Sequence, residues 1–155
     1  MIRVMFVCHG NICRSSMAEF IFKAIIKEKG LSDGFYVSSS ATSTEEIWNG
    51  IGNPVYPPAQ RELLKHNITC HGKRAVQLKA SDYEIYDYFI GMDEANIKNM
   101  HRILQGDKDK KIYKLLSFTG SNNNVADPWY TGDFELTYKN IYDGCNGFLD
   151  FILNR

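Results

Sequence analysis

Ile2-Arg3-Val4-Met5-Phe6-Val7-Cys8-His9-Gly10-Asn11-Ile12-Cys13-Arg14-Ser15-Ser16 begins as an apolar run and breaks off at a short polar loop. Residues 2–7 have the length and composition of a buried strand, and the abrupt change at Cys8 marks a functional turn. Ser16-Met17-Ala18-Glu19 then reads as an S-x-x-E capping box. Behind it Met17, Phe20, Ile21, Ala24 and Ile25 recur on one helical stripe until Gly30. The order is therefore strand, loop, helix.

The rest of the chain continues that alternation. Residues 35–40 suit a second strand. Pro58 suits the first turn of a helix that runs to about His66 with Leu63 and Leu64 inward. Residues 86–92 read as a third strand, Asp93 as a helix N-cap, and Ile97, Met100, Ile103 and Leu104 as the helix stripe. A fourth strand is expected over 112–116. A polar stretch over 120–124 and an Asp127-Pro128 turn precede a long helix marked by Phe134, Tyr138, Ile141, Cys145, Phe148, Leu149 and Ile152. The expected fold class is α/β, a single three-layer domain over residues 1–155, with a central four-stranded parallel sheet and helices on both faces. Ligands of such sheets gather at the carboxyl ends of the strands, where Cys8 stands.

Composition narrows the function classes. The 155 residues are 44% hydrophobic and 23% charged, with 18 Lys+Arg against 18 Asp+Glu. A chain of zero formal charge has no global field to draw it to nucleic acid or an anionic membrane, so neither is expected as a partner. No apolar run approaches the ~20 residues of a membrane span, and the apolar start is too short for a signal peptide. A cytoplasmic monomer is the expectation. The four cysteines, Cys8, Cys13, Cys70 and Cys145, form no C-x-x-C pair and read as free thiols. A zinc site from Cys8, His9, Cys13 and His71 would need two adjacent residues to turn onto one metal, which disfavours it.

The loop carries the chemistry. It sets a thiol and a guanidinium at its two ends and leads directly into a helix N-terminus. Curled around a phosphate-sized centre, it can aim backbone N–H groups inward, and the helix start adds unpaired donors. Gly10 and Asn11 are residue types that tolerate positive φ. Arg14 offers a planar fork to two phosphoryl oxygens, and the same donors favour the thiolate form of Cys8.

This C-x5-R segment resembles the phosphate loop of cysteine-dependent protein tyrosine phosphatases, and VCHGNICRSS near the chain start is similar to the low-molecular-weight family. VSSSATS, IGNP, CHGKRAVQL, YDYFIGMDEANI and DPWY follow in the family's order. The resemblance implies hydrolysis of phosphotyrosine in proteins, and of small aryl phosphates, through a phosphocysteine. Cys8 would be the nucleophile, and Asp127 of the DP motif the general acid and then base. Arg14 and the loop from His9 through Gly10, Asn11, Ile12, Cys13 and Ser15 would hold phosphate. Cofactor and metal would both be unnecessary. Asn11, Ser15, Ser39 and His71 would keep the loop in shape, with Ser15 also hydrogen-bonding the sulfur. Cys13 would trap oxidised Cys8 as a disulfide, making the enzyme redox-sensitive.

Trp48, Trp129 and Tyr130 are the expected grip on the substrate ring. Three features depart from the commoner pattern. Thr44-Glu45-Glu46-Ile47 lengthens the loop before Trp48, His9 stands where an apolar residue is frequent, and Trp129 replaces the first of two tyrosines. Asp127 read alone is also a turn initiator, and Asp93 a cap; Cys70 and Cys145 read as packing residues. A thiol-dependent arsenate reductase of the same fold is the enzymatic alternative, disfavoured because residues 75–91 hold no cysteine. A non-catalytic phosphotyrosine-binding adaptor is the other, and the joint presence of Cys8, Arg14, Ser15 and Asp127 opposes it.

Overall fold

A computed structural model of the chain describes all 155 residues. In chain order, strand β1 (Ile2–Cys8) leads to helix α1 (Arg14–Glu28) and strand β2 (Phe35–Ala41). A small ribbon follows, β3 (Ile47–Trp48) with β4 (Ile51–Gly52), and then helix α2 (Pro57–Leu64). Strand β5 (Tyr88–Gly91), helix α3 (Glu94–Ile103) and strand β6 (Ile112–Lys114) precede the short helix α4 (Pro128–Thr131) and the long α5 (Phe134–Leu153). The main sheet has the order β2-β1-β5-β6, and every pairing in it is parallel. No helix is long and apolar enough to cross a membrane.

β1 is a continuous apolar run because both of its faces are covered. Side chains alternate along a strand, so Val4 and Phe6 join Val37, Tyr88 and Ile90 in a core with α1, α2 and α5. Met5 and Val7 join Phe89 in a second core with Leu78, Tyr83, Tyr86, Met100 and Leu104. The three-layer α/β domain of the sequence reading is the fold observed.

Four local expectations change. The helix starts at Arg14 rather than Ser16, and Ser16 and Glu19 make no capping box. The Ser16 hydroxyl donates to the Asn11 carbonyl at 2.7 Å, while Glu19 is drawn to Ser39 and Lys23. In α2, Leu63 is buried but Leu64 is 62% exposed, because the inward face is completed by Glu62. β5 is shorter than 86–92, with Tyr86 buried ahead of it. The fourth strand also stops early: Leu115 and Leu116 enter a 3₁₀ turn over Leu115–Thr119, where Ser117 and Thr119 hydroxyls close back on the carbonyls of Lys114 and Leu116.

That 3₁₀ turn lies so close to α5 that no side chain fits at Gly144 or Gly147 of the helix. A Cβ on Gly144 would stand 2.5 Å from the Leu115 Cγ, and one on Gly147 would stand 2.6 Å from the Phe118 carbonyl oxygen. Gly147→Ala should therefore destabilise the fold by about 1–3 kcal/mol through overpacking, against the ~1 kcal/mol gain expected from helix propensity alone. Urea denaturation decides the sign.

Candidate active site

In the order β2-β1-β5-β6, the chain runs from β1 to β2 on one side and then crosses back past β1 to β5 on the other, so the carboxyl end of β1 lies at a topological switch point. Cys8 ends β1 there, paired with Ala41 of β2. The loop from His9 to Cys13 curls over it. Asn11 takes the left-handed φ of 61°. Gly10 does not take a positive φ, contrary to expectation. Its lack of a side chain serves a close approach instead, since a Cβ would lie 3.2 Å from the Glu46 Cγ.

Three donors or hydroxyls meet the Cys8 sulfur. The amides of Asn11 and Ser15 donate to Sγ at 3.3 and 3.4 Å, and the Ser15 hydroxyl lies at 3.0 Å. Ser15 belongs to the first turn of α1, which has no acidic side chain and no side-chain N-cap. Its free amides are thus left to the loop.

Arg14 is buried and held by two carboxylates. Nη1 donates to the Val125 carbonyl at 3.2 Å and pairs with Asp93 Oδ2 at 2.8 Å, while Nη2 reaches Asp127 Oδ2 at 3.4 Å. Asp127 also caps α4 through the Trp129 amide at 3.0 Å. Asp93 caps α3 as the sequence indicates, accepting from the Asn96 amide at 2.8 Å. Its second oxygen on Arg14 was not foreseen.

Behind the loop, Asn11 Nδ2 donates to Ser15 Oγ at 2.8 Å and to Ser39 Oγ at 2.9 Å. His71 is not part of this network. It is exposed in the turn after Cys70, and Lys73, two residues on, reaches inward to donate to the Ser39 carbonyl at 3.0 Å. Glu19 completes the group by accepting from the Ser39 hydroxyl at 2.6 Å. The sequence reading gives Glu19 only a capping role and Lys73 none, because charged residues on a helix or in a loop usually face solvent. No three His, Cys, Asp or Glu side chains are gathered as a metal site.

The cleft at Cys8 has a volume of about 450 Å³, and its lining includes Trp129, Tyr130, Glu45 and Glu46. Trp129 leans on Tyr56 with ring centroids 5.2 Å apart. Trp48 is absent from this lining and is 78% exposed. Asn49 and Gly50, with φ of 51° and 76°, make a two-residue hairpin turn between β3 and β4. That ribbon buries Gly52 against Ala75 and turns the Trp48–Ile51 pair outward. Asn49-Gly50 was the available signal. His9, more than half exposed, pairs with Glu45 at 3.0 Å on the rim.

A sequence profile for the low molecular weight phosphotyrosine protein phosphatases matches residues 3–155. The chain belongs to that family. PtpA of Staphylococcus haemolyticus, a low molecular weight protein-tyrosine-phosphatase, is 38% identical over 154 residues, covering 99% of this chain and 95% of its own. The crystal structure of YfkJ from Bacillus subtilis aligns with a TM-score of 0.92 at 36% identity, covering 99% of this chain and 96% of that one. SP-PTP, a low molecular weight protein tyrosine phosphatase from Streptococcus pyogenes, aligns with a TM-score of 0.84 at 40% identity, covering 97% and 92%.

The cysteines of this protein tyrosine phosphatase differ sharply in setting. Burial, and then the proximity of Cys8 and Asp127, push the Cys13 thiol up to about 12. Burial also raises Cys70 and Cys145. Such thiols hold almost no thiolate at neutral pH, so iodoacetamide at pH 7 should modify Cys8 first, and inorganic phosphate should slow the reaction. Peptide mapping by mass spectrometry checks this. Labelling of Cys13 at the same rate would contradict it.

Proposed function

We propose that this phosphatase hydrolyses phosphotyrosine in proteins, and small aryl phosphates, through a phosphocysteine on Cys8. The observation that carries the reading is the convergence of the Asn11 and Ser15 amides and the Ser15 hydroxyl on one sulfur at the base of a cleft, with Arg14 and Asp127 beside it. Protein groups engage three of the five guanidinium N–H donors, two on Nη1 and one on Nη2. The Nε hydrogen and one Nη2 hydrogen are left to donate to phosphoryl oxygens.

In the first step the Cys8 sulfur bonds to phosphorus and the P–O bond to the tyrosine ring breaks. The bonding pair stays on the phenolic oxygen, which takes a proton from Asp127. In the second step a water oxygen attacks phosphorus and gives its proton to Asp127. The S–P bond breaks with its pair returning to sulfur, and inorganic phosphate leaves. Charge on the transferring group is met by Arg14 and the loop amides, which are already in place and need no rearrangement.

Cleft depth and wall chemistry supply selectivity. Cys8 lines the cleft and is only 4% exposed, so a long aryl phosphate reaches it where phosphoserine would not. Trp129 and Tyr130 give the ring an apolar surface to lie against. Under peroxide, Cys8 oxidised to sulfenic acid would condense with the Cys13 thiol, releasing water and forming a disulfide that a thiol reductant reverses.

Turnover of p-nitrophenyl phosphate and of a phosphotyrosine peptide in EDTA tests the mechanism. Cys8→Ser should abolish both activities. Asp127→Ala should cost ~10²–10⁴-fold with the peptide and less with p-nitrophenyl phosphate, whose anion departs without protonation. An inactive parent protein would refute the reading. Cys13→Ser should regain less activity than the parent after peroxide followed by a thiol reductant, and equal recovery would exclude the protective disulfide.

A further inference from the structure

Behind the phosphate loop, along the outer side of β2, lies a hollow of about 620 Å³ whose lining includes Glu19, Lys23, Ser39 and Lys73. Glu19 is a buried carboxylate, with its side chain 7% exposed, and the side chain of its cationic neighbour Lys73 is 11% exposed. Lys23 donates to Glu19 Oε2 at 2.6 Å, and the Lys73 ammonium lies 3.6 Å from Oε1. The remaining contact of Oε1 is the Ser39 hydroxyl at 2.6 Å. These charges sit on the far side of the loop from the cleft and touch no reacting atom.

Their position at the end of a hydrogen-bond chain gives them a role. An ionised carboxylate only accepts hydrogen bonds, so Ser39 must spend its single hydroxyl hydrogen on Glu19. The Ser39 oxygen is then left to accept, which it does from Asn11 Nδ2 at 2.9 Å. At the other end, the Val76 amide can only donate, and it does so to Asn11 Oδ1 at 3.1 Å. An obligate acceptor and an obligate donor thus orient the Asn11 amide from both sides. Its second Nδ2 hydrogen goes to Ser15 Oγ at 2.8 Å. Ser15 therefore accepts from Asn11 and has its own hydrogen free for the Cys8 sulfur at 3.0 Å, with the Ser40 carbonyl more distant at 3.5 Å.

We propose that Glu19, clamped by Lys73 and Lys23, is a positioning residue that sets the direction of this chain and so aims the Ser15 hydroxyl hydrogen at the Cys8 sulfur. The inference rests on the phosphocysteine reading, because the hydrogen bond matters most where negative charge returns to sulfur. That happens when water attacks phosphorus and the S–P bond breaks. In Glu19→Gln, Lys23 claims the one remaining carbonyl oxygen, and the side-chain NH₂ faces Ser39. Ser39 must then accept where it formerly donated, its freed hydroxyl hydrogen competes for the Asn11 side chain, and only the Val76 amide still holds that side chain in its orientation.

Rapid-quench measurement of phosphoenzyme formation and decay, with labelled phosphate from an aryl phosphate, tests the idea. Glu19→Gln should slow decay roughly tenfold, a smaller loss than the ~10²–10³-fold that removing an oxyanion-hole donor causes. Formation should stay within about twofold of the parent, since a residue acting only on the second step leaves the first intact. Ser39→Ala, which cuts the chain at its middle without removing a charge, should give the same split and serves if the Glu19 variant fails to fold. In a Ser15→Ala background, Glu19→Gln should add less than about twofold to the decay defect, because the two residues act through one hydrogen bond. Equal slowing of formation and decay would mark a merely loosened loop and overturn the proposal. Unchanged decay, or full additivity with Ser15→Ala, would overturn it as well. A parent enzyme that traps no label on Cys8 refutes the phosphocysteine reading and this inference with it. A parent that traps label normally while the variants match it refutes the inference alone.

Discussion

Asn11 is the constraint on which the site depends. It is fully buried and holds a left-handed backbone conformation, which costs a residue other than glycine roughly 1–3 kcal/mol. The strain is offset by the bonds that the conformation permits, each worth about 1 kcal/mol net and more to lose when buried. Its amide donates to Cys8, its carbonyl accepts from Ser16, and its side chain joins Ser15, Ser39 and Val76. One residue thereby ties the loop to α1, to β2 and to the extended segment that continues the edge of β2 through the Ala41–Gln77 bridge. Relaxing its φ would turn its own amide, and with it the curl that lets the Ser15 amide converge, away from the sulfur.

The two aspartates on Arg14 follow a common design. Each ends an extended segment, caps the helix that follows with one oxygen and meets the guanidinium with the other. Because a capping carboxylate is fixed by the backbone it serves, Arg14 is positioned by helices α3 and α4 rather than by flexible side chains. A buried guanidinium deprived of its partner is costly, ~3–5 kcal/mol, so the fold and the anion site share the same ion pairs. The sheet order makes this possible: β1 and β5 are neighbours, and their carboxyl ends bring Cys8 and Asp93 to one edge of the sheet.

The legible parts of the molecule were those with a local pattern. The stripes of α1, α3 and α5 show in the sequence because burial on a helix repeats every three to four residues, and β1 shows as an apolar run that stops at a polar loop. The phosphate loop was legible because a thiol, a guanidinium and a helix start must lie close in sequence to lie close in space. Features fixed by contacts between distant segments were not. Asp93 reads as a cap and nothing more, since its contact with Arg14 joins residues half a chain apart. His71 and Lys73 lie two residues apart in an irregular turn without a period, and only the folded chain shows which one turns inward. Trp48 is instructive because the local signal was present: Asn49-Gly50 specifies a tight hairpin, and a hairpin pairs Trp48 with Ile51 on one face and Ile47 with Gly52 on the other. Since Gly52 is pressed against Ala75, the tryptophan face had to be the outer one.

A chain with 18 cationic and 18 anionic residues cannot gather anions from a distance, and Glu45 and Glu46 in the lining of the cleft make the approach less favourable still. Attraction begins only within reach of the loop amides, the start of α1 and Arg14. Fixed donors of this kind act over a few ångströms and are shielded from salt by burial, unlike exposed charges separated by a Debye length of about 8–10 Å. A free anion in solution gains nothing until it has passed the carboxylates and lost its water. On the proposed function, an aryl phosphate would offset that cost by laying its ring on Trp129 and Tyr130 as the phosphate descends. The acidic rim would then work with the aromatic wall: it would weaken the hold on bare anions, while the ring contact would restore the hold on the substrate that carries one.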